Sequence, residues 1–391
     1  MQVKDLFSFE VQVILAFVIA FLISFFMIPR IIVLAKDKQF LSTPVNRSSH
    51  VKPVPLLGGV GIFVAFQVPM LLFAGMNESK ILPFLTLSCL IIFILGLRDD
   101  IYVITPKAKL MGQIVAGLIM IVFADVRITN LQGIMSIGEL PYIASLLLTL
   151  FIYVAITNAV NLMDGIDGLA ASLGIVACLG FGVYFIHLNK INGSVACASM
   201  IGALSAFLIY NYAKGDKKIF MGDTGSLIVG FILATYAIRF NEFSITEPKS
   251  LIIQSAPVVS IAILAIPIFD TIRVFLIRIL RGKSPFKPDK IHIHHELLAN
   301  GYTHHQATTL ISSFSLFLII LIYHLQSKMG LYPLLFVLIG CVALFYIIPF
   351  TFIYRQIDLI NRTKNYFKRH FRLSTKLMTI VVRRWNKKNN S

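Results

Sequence analysis

Long apolar runs recur along nearly the whole chain, and they constrain its fold more than any other feature. The 391 residues are 57% hydrophobic and only 14% charged, with a mean hydropathy of +0.82. This composition excludes a soluble globular domain, because about 20 apolar residues already make a helix that crosses a bilayer. We therefore predict an all-α integral membrane protein, a polytopic bundle of about 11 transmembrane helices. The predicted spans are residues 11–35, 56–75, 81–97, 110–124, 141–160, 168–187, 194–213, 225–240, 251–280, 307–325 and 331–354.

The end of the chain differs from the rest in composition. Residues 355–391 mix aromatic and aliphatic side chains with eleven basic residues, which is typical of a helix lying on anionic lipid. We predict a polytopic transmembrane domain over residues 1–354, carrying the candidate catalytic loops, and a basic amphipathic cytoplasmic tail over residues 355–391. Nucleic-acid binding is the competing explanation of a net charge of +17. We reject it because the basic residues are distributed as membrane topology requires.

The basic residues also predict an orientation. In an eleven-span topology the loops after the odd-numbered spans emerge on one side, and they contain all the candidate site residues. These loops and the tail hold 26 Lys and Arg residues, whereas the opposite loops hold six. Because positive charge favours the cytoplasmic side, the candidate site and the C-terminus should face the cytoplasm, with the N-terminus outside the plasma (inner) membrane.

The first acidic cluster is Asp99-Asp100, at the end of the third predicted span. Adjacent carboxylates repel each other, so a cation or a shared proton is expected to hold them together. A solvated helix end is the alternative, since a pair of aspartates is a weak signal. We predict catalytic roles for both aspartates, and contacts from Lys107 and Lys109 to a bound phosphate-containing ligand.

The second cluster has four polar residues at intervals of three: Asn158, Asn161, Asp164 and Asp167. On a helix this spacing places them on one slowly drifting face, as a polar stripe at the mouth of the fifth span. Core packing does not explain such a stripe in so apolar a chain. We predict catalytic roles for the two aspartates and ligand binding by the two asparagines.

The third acidic segment, Phe220–Ser226 (FMGDTGS), places Asp223 between glycines directly before the eighth span. This pattern is typical of a metal- or phosphate-binding turn that leads into a helix N-terminus. The alternative is that Asp223 simply caps that helix. Carboxylate oxygens suit Mg²⁺, with Mn²⁺ as a substitute. We predict Asp223 as a metal ligand, together with Asp100 or Asp164.

Histidines and basic residues form two further loops. His292, His294 and His295 lie in a basic segment, with a spacing unlike a helical zinc pair. We favour contact with a nucleotide diphosphate over a zinc site or a plain surface loop, and we interpret His304 and His305 as ordinary helix-start residues. In the loop after the first predicted span, Arg47 and His50 suit an anionic headgroup. The alternative is an ordinary loop that is basic because it faces the cytoplasm.

Together these segments resemble the polyprenyl-phosphate N-acetylhexosamine-1-phosphate transferase family. The resemblance runs from Pro44 to about Ala307. A single motif would be weak evidence for the resemblance, but five motifs in the order found in the family are specific evidence. The motifs are the DD pair, NxxNLxDGxDGLA, FMGDTGSL, PIFDTxRV and a DKxHxHH loop. The histidine loop departs from the three consecutive histidines of the peptidoglycan branch. It looks like the bacterial branch that starts O-antigen, enterobacterial common antigen or teichoic acid linkage units.

The resemblance implies transfer of a sugar 1-phosphate from a UDP-N-acetylhexosamine to undecaprenyl or another polyprenyl phosphate, with Mg²⁺ present and UMP released. GlcNAc 1-phosphate is the expected group. We expect a single displacement, in which Asp99 orients or deprotonates the acceptor phosphate. In that mechanism the HIHH loop and its lysines neutralise charge on the diphosphate. An aspartate nucleophile with a phospho-enzyme intermediate is the rival mechanism.

Other assignments stay open at this point. The peptidoglycan enzyme that transfers phospho-MurNAc-pentapeptide is the closest alternative. A CDP-alcohol phosphotransferase would carry its aspartates in one compact motif, and an ion transporter would carry acids at mid-span. Besides the bilayer, the donor and the acceptor, a second copy of the chain in a homodimer is a compatible partner.

Overall fold

The computed structural model describes residues 7–41, 53–248 except 76 and 78, 253–285 and 291–347, and these residues are helical apart from their connections. Residues 1–338 form one compact unit, and of the second unit, residues 339–391, only the first nine are described. The predicted boundary at residue 354 and the predicted tail helix lie outside the described residues. The helices are α1 Phe9–Asp37, α2 Gly58–Pro69, α3 Leu82–Ile101, α4 Pro106–Val122, α5 Tyr142–Leu162, α6 Leu169–His187, α7 Ile191–Asn211, α8 Gly222–Thr246, α9 Ala256–Ile263, α10 Ala265–Leu280, α11 Ile293–Ala299, α12 His304–Leu325 and α13 Leu331–Ile347.

The predicted number of spans is not confirmed. Seven of the described helices are long and apolar enough to cross a membrane, or eight if α9 and α10, which meet at 79°, count as one span. Each predicted run does coincide with a helix, but α4 has only 17 residues, and α2 and α13 are short apolar helices. The apolar runs predict where the helices lie. Only the positions of the helix ends show which helices are long enough to span a membrane. The polytopic, all-helical class is therefore correct, and the count of about 11 is not established.

Helix α8 occupies the centre of the bundle. It packs against α2, α3, α5, α6 and α9, and most of its side chains are buried. Two glycines bring neighbouring helices against its first turn: a Cβ at Gly59 would lie 2.2 Å from the Gly225 nitrogen, and one at Gly96 would lie 2.5 Å from the Thr224 Cα. This close approach sets the end of α3, with its aspartates, directly beside the start of α8.

The loops that carry the motifs meet at one end of the bundle. The Lys36 ammonium at the end of α1 lies 3.1 Å from the Asp216 carboxylate, in the connection between α7 and α8. The bend between α9 and α10 precedes α10 and the histidine segment, which packs against the α5–α6 connection. The motif loops after α3, α5, α7 and α10 are thus neighbours, as the sequence predicted.

Candidate active site

Asp100 caps the N-terminus of α8. Its Oδ1 accepts a hydrogen bond from the Asp223 backbone N–H at 2.7 Å, and its Oδ2 accepts from the backbone N–H and the hydroxyl of Thr224 at 3.0 and 2.5 Å. Gly222 permits this contact, because its φ is +70° and a Cβ there would lie 2.6 Å from the Asp100 carboxylate. A carboxylate at a helix N-terminus is stabilised by the free N–H groups and the helix dipole. The cap of α8 is therefore Asp100, and the alternative assignment of that role to Asp223 is wrong.

Asp99 and Asp223 share one cation. The Lys109 ammonium, from the first turns of α4, contacts the Asp99 carboxylate and lies 3.1 Å from Asp223 Oδ1. Asp99 also accepts from the Ile104 backbone N–H at 2.9 Å, and its side chain is only 8% exposed, against 32% for Asp223. The cation expected beside the aspartate pair is thus Lys109 in this structure, and Asp223 is the more open of the two carboxylates.

The polar stripe does not continue along a helix. Helix α5 ends at Leu162, so Asp164 and Asp167 lie in the connection to α6, and the prediction of four residues on one helical face is wrong. The asparagines instead join helices: Asn158 donates to Gln113 of α4 at 2.6 Å, and Asn161 accepts from the Ser226 hydroxyl of α8 at 2.7 Å. The glycines of the segment end α5, because they favour a turn over a helix.

Asp164 is the carboxylate of this connection whose ionised form is most disfavoured by its surroundings. Burial raises its pKa well above the usual range, and the negative charges of Asp223, Asp100 and Asp167 raise it further. Among the described residues, its carboxylate makes no hydrogen bond or ion pair. A bound cation would relieve this repulsion, since an opposite charge favours the ionised form.

Asp167, unlike Asp164, has hydrogen-bond partners that stabilise its ionised carboxylate. Its Oδ2 accepts from the Lys218 ammonium at 2.7 Å and lies 3.0 Å from His304 Nδ1. Burial alone would raise the pKa of Asp167, but these hydrogen bonds outweigh it and hold the pKa below its usual value. The interpretation of His304 as an ordinary helix-start residue is therefore wrong, because it ties the start of α12 to the α5–α6 connection.

The histidine segment is braced by α10. The fully buried Asp270 carboxylate lies 2.7 Å from His292 Nδ1 and accepts from the Ile293 backbone N–H at 3.0 Å. Arg273, one turn later, donates to the Ile291 carbonyl at 2.7 Å and to both oxygens of Glu296 at 2.9 and 3.2 Å. Asp270 and Arg273 thus fix both ends of the turn that starts α11.

His294 is fully buried and lies against the α5–α6 connection. A Cβ at Gly165 would lie 2.1 Å from its Nε2, and neither of its ring nitrogens has a hydrogen-bond partner in the described part of the chain. Burial, followed by the neighbouring His295 and His292, lowers the pKa of His294 to about 2. His294 is therefore uncharged at neutral pH. It can donate or accept a hydrogen bond, and its contribution to charge neutralisation stays a prediction.

The remaining predicted ligand-binding residues are less informative. Lys107 is exposed in the first turn of α4. Arg47 and His50 lie outside the described residues, as do Lys287 and Lys290 of the basic loop. Gly58 and Gly59, at the start of α2, donate their backbone N–H groups to the carbonyls of Phe220 and Met221, so they position the FMGDTGS turn.

The carboxylates fit a Mg²⁺ ion that is completed by substrate. In the described ranges, no group of three or more His, Cys, Asp or Glu side chains is arranged to hold a metal. Mg²⁺, however, is usually bound by one or two carboxylates together with phosphate oxygens and water. Asp164 and Asp223 suit that need, since the charge of Asp223 acts on Asp164 and neither carboxylate has all its oxygens hydrogen-bonded in the described residues. Both oxygens of Asp100 already accept hydrogen bonds.

Sequence reasoning did not assign site roles to Asp270, Arg273, Lys218 or His304. For Asp270 and Arg273 a signal existed, because PIFDTxRV is one of the family motifs and the two residues are three apart, on one face of a helix. Lys218 and His304 reach Asp167 across 51 and 137 positions of the chain, and no local pattern marks such a contact.

A bundle of apolar helices with carboxylates and imidazoles at one end defines a membrane-embedded class of enzyme, and sequence comparison identifies its family. The model of Glycosyl transferase family 4 matches residues 82–241, from α3 into α8. Decaprenyl-phosphate N-acetylglucosaminephosphotransferase of Mycolicibacterium smegmatis is 32% identical over 317 residues, 75% of this chain and 77% of that protein. Undecaprenyl-phosphate alpha-N-acetylglucosaminyl 1-phosphate transferase of Escherichia coli K12 is 30% identical over 287 residues, 71% of this chain and 74% of that protein. The chain belongs to glycosyl transferase family 4, the polyprenyl-phosphate N-acetylhexosamine-1-phosphate transferases.

Proposed function

We propose that this protein transfers GlcNAc 1-phosphate from UDP-GlcNAc to undecaprenyl or a similar polyprenyl phosphate, releases UMP, and so starts a lipid-linked cell-envelope glycan. The observation that carries the proposal is that the segments holding Asp99, Asp164 and Asp223 meet at one end of an apolar helix bundle, next to the histidine segment held by α10. A lipid acceptor needs a site at the membrane, and a diphosphate donor needs a cation held by carboxylates. The activities named for the relatives support the same reaction.

The proposed Mg²⁺ site consists of Asp164 and Asp223. When bound there, the ion would neutralise charge on the donor diphosphate and on the departing UMP. Lys109 keeps Asp223 and Asp99 in place, because its ammonium contacts both. His294 is buried against Gly165 of the same loop.

Asp99 is proposed to orient or deprotonate the polyprenyl phosphate, whose oxygen then attacks the sugar-linked phosphorus. The P–O bond to UMP breaks as the new P–O bond forms, so UMP leaves with the bonding electrons. Asp99 suits this role because its carboxylate is fixed by Lys109 and the Ile104 N–H, at the end of a helix beside Asp223. A phospho-enzyme route through an aspartate remains the alternative mechanism.

One assay tests the reaction, its donor and its metal together. Purified protein is incubated with undecaprenyl phosphate and radiolabelled UDP-GlcNAc, other UDP-N-acetylhexosamines or UDP-MurNAc-pentapeptide, with Mg²⁺, with Mn²⁺ or with EDTA. We expect lipid-linked product from UDP-GlcNAc, its loss in EDTA, and recovery with either metal. Turnover of UDP-MurNAc-pentapeptide alone would overturn the donor assignment, and full activity in chelator would overturn the metal site.

The orientation is proposed from the asymmetry of the basic residues. The site would face the cytoplasm, where a nucleotide sugar is available. A cysteine at the exposed Ser284, in a variant whose native cysteines are replaced, should react with an impermeant thiol reagent only after the cells are opened. Labelling in intact cells would reverse the orientation.

A further inference from the structure

The first two turns of α12 contact the backbone N–H, the backbone carbonyl and the carboxylate of Asp167. The Thr308 hydroxyl donates to the Asp167 carbonyl at 2.8 Å. His304 Nδ1 lies 3.3 Å from the Asp167 backbone nitrogen and 3.0 Å from its Oδ2. Contacts to backbone groups fix the path of the chain at a residue, whereas a contact to a side chain alone does not. Helix α12 therefore holds the main chain of the α5–α6 connection at Asp167, through a threonine that is only 1% exposed.

The next residue, Gly168, is held by the end of α7. Its backbone N–H donates to Asn211 Oδ1 at 2.6 Å, and the Asn211 side-chain nitrogen donates to the Ile219 carbonyl at 2.8 Å. Gly168 has a φ of +77°, and a Cβ there would lie 2.0 Å from the Tyr212 hydroxyl, so a side chain is excluded at this position. Helices α12 and α7 together thus fix the end of the connection, directly before α6 begins.

The position of Asp164 depends on this support, because its own side chain provides none. The Asp164 carboxylate makes no hydrogen bond or ion pair in the part of the chain that the structure describes, so the backbone on either side must place it. Before it, the Asp164 N–H donates to the Asn161 carbonyl at 3.2 Å, at the end of α5. After it, the fixed Asp167 is three residues away, a reach of at most about 11 Å. A carboxylate that is held through its backbone keeps both oxygens available to a ligand.

We infer that Thr308 and His304 are positioning residues for the reaction, which act through Asp167 to hold the Asp164 carboxylate where it can bind its cation. The inference rests on the proposed function for what Asp164 binds. It gives a role in the active site to α12, which lies beyond residues 82–241, the part of the chain that the family model matches. Residues that orient a metal ligand affect metal affinity and activity, because a small displacement of the ligand spoils the geometry of the reacting groups.

The test is Thr308→Val in the purified full-length protein, because valine keeps the shape of threonine and loses the hydroxyl. We expect faster amide hydrogen exchange in residues 161–169, since the contact to the Asp167 carbonyl is lost. We also expect the Mg²⁺ concentration for half-maximal transfer to rise about tenfold and kcat/KM for UDP-GlcNAc to fall by a similar factor. Thr308→Ser keeps the hydroxyl and should restore all three values. The matched control is Thr309→Val, because the neighbouring threonine is exposed.

Unchanged exchange in residues 161–169 of Thr308→Val would overturn the inference, and so would faster exchange spread over α1 as well, which would indicate general destabilisation. Faster exchange confined to the connection, with an unchanged Mg²⁺ requirement, would leave a purely structural contact and overturn the positioning role. If the wild type transfers no sugar phosphate, the proposed function fails, whereas hydrogen exchange still decides whether α12 holds the connection. If Thr308→Val does not fold, His304→Gln takes its place with the same readouts.

Discussion

The two sides of the candidate active site use carboxylates in different ways. On the carboxylate side (Asp99, Asp164 and Asp223), oxygens are left open or are shared with Lys109. On the histidine side (Asp270 with His292 and His294), the Asp270 carboxylate is fully buried, contacts the His292 ring and accepts a hydrogen bond from the Ile293 backbone N–H. The same residue type therefore has open or shared oxygens on one side and holds a turn in place on the other. The hydrogen-bond partners of each aspartate, rather than its motif, separate the two uses.

The largest effect is expected on the carboxylate side. Asp223→Asn removes a proposed metal ligand, so turnover should fall about 10³-fold, because a lost metal contact costs several kcal/mol in the transition state. Mg²⁺-dependent binding of the UDP-sugar should be lost as well. Titration calorimetry beside a turnover assay measures both. The matched control is Asp216→Asn, since that aspartate is fully exposed and, among the described residues, pairs with Lys36. Retained Mg²⁺-dependent binding in Asp223→Asn would remove it from the metal site.

Asp99→Asn tests whether Asp99 and Asp223 have different roles in the reaction. Donor affinity should stay nearly intact, while turnover falls roughly 10²- to 10⁴-fold, the range for loss of a positioned base. An interaction made mainly in the transition state lowers kcat with little change in ground-state binding. The same calorimetry and assay apply. Loss of donor affinity as severe as in Asp223→Asn would mean that Lys109 couples the two aspartates into one site.

Asp270→Asn tests the histidine side. Asn keeps the shape and one acceptor but loses the charge, so His292 and the start of α11 should be held less firmly. We expect a fall of about 10- to 100-fold in kcat/KM, the range for residues that orient a ligand-contacting group, mainly through KM for the UDP-sugar. Arg273→Gln should behave alike. A change in thermal stability with no change in KM would indicate a purely structural brace.

The comparison also explains what could be predicted from the sequence. The motif residues Asp99, Asp164 and Asp223 were found because acids are rare in this chain and lie at the ends of apolar runs. The capping role of Asp100 was not predicted, because it depends on Gly96 bringing α3 within hydrogen-bond reach of the start of α8. The predicted count of about 11 spans is not confirmed, because the number of spans depends on where the helices end.

The smallest effect concerns the contact between His304 of α12 and Asp167 of the α5–α6 connection. His304→Gln removes one of the hydrogen bonds that lower the pKa of Asp167, so it should destabilise the folded protein at neutral pH by about 0.5–1.5 kcal/mol. A carboxylate whose pKa is lowered on folding contributes stability above its ordinary pKa of 3.8 and loses it as the pH falls through the lowered value. The difference between wild type and variant should therefore shrink only in acid. Thermal unfolding from pH 7 to about pH 3 measures it, with His305→Gln as the control, because the neighbouring ring is exposed. A difference that persists unchanged in acid would show that His304 stabilises α12 by packing and not through the charge of Asp167.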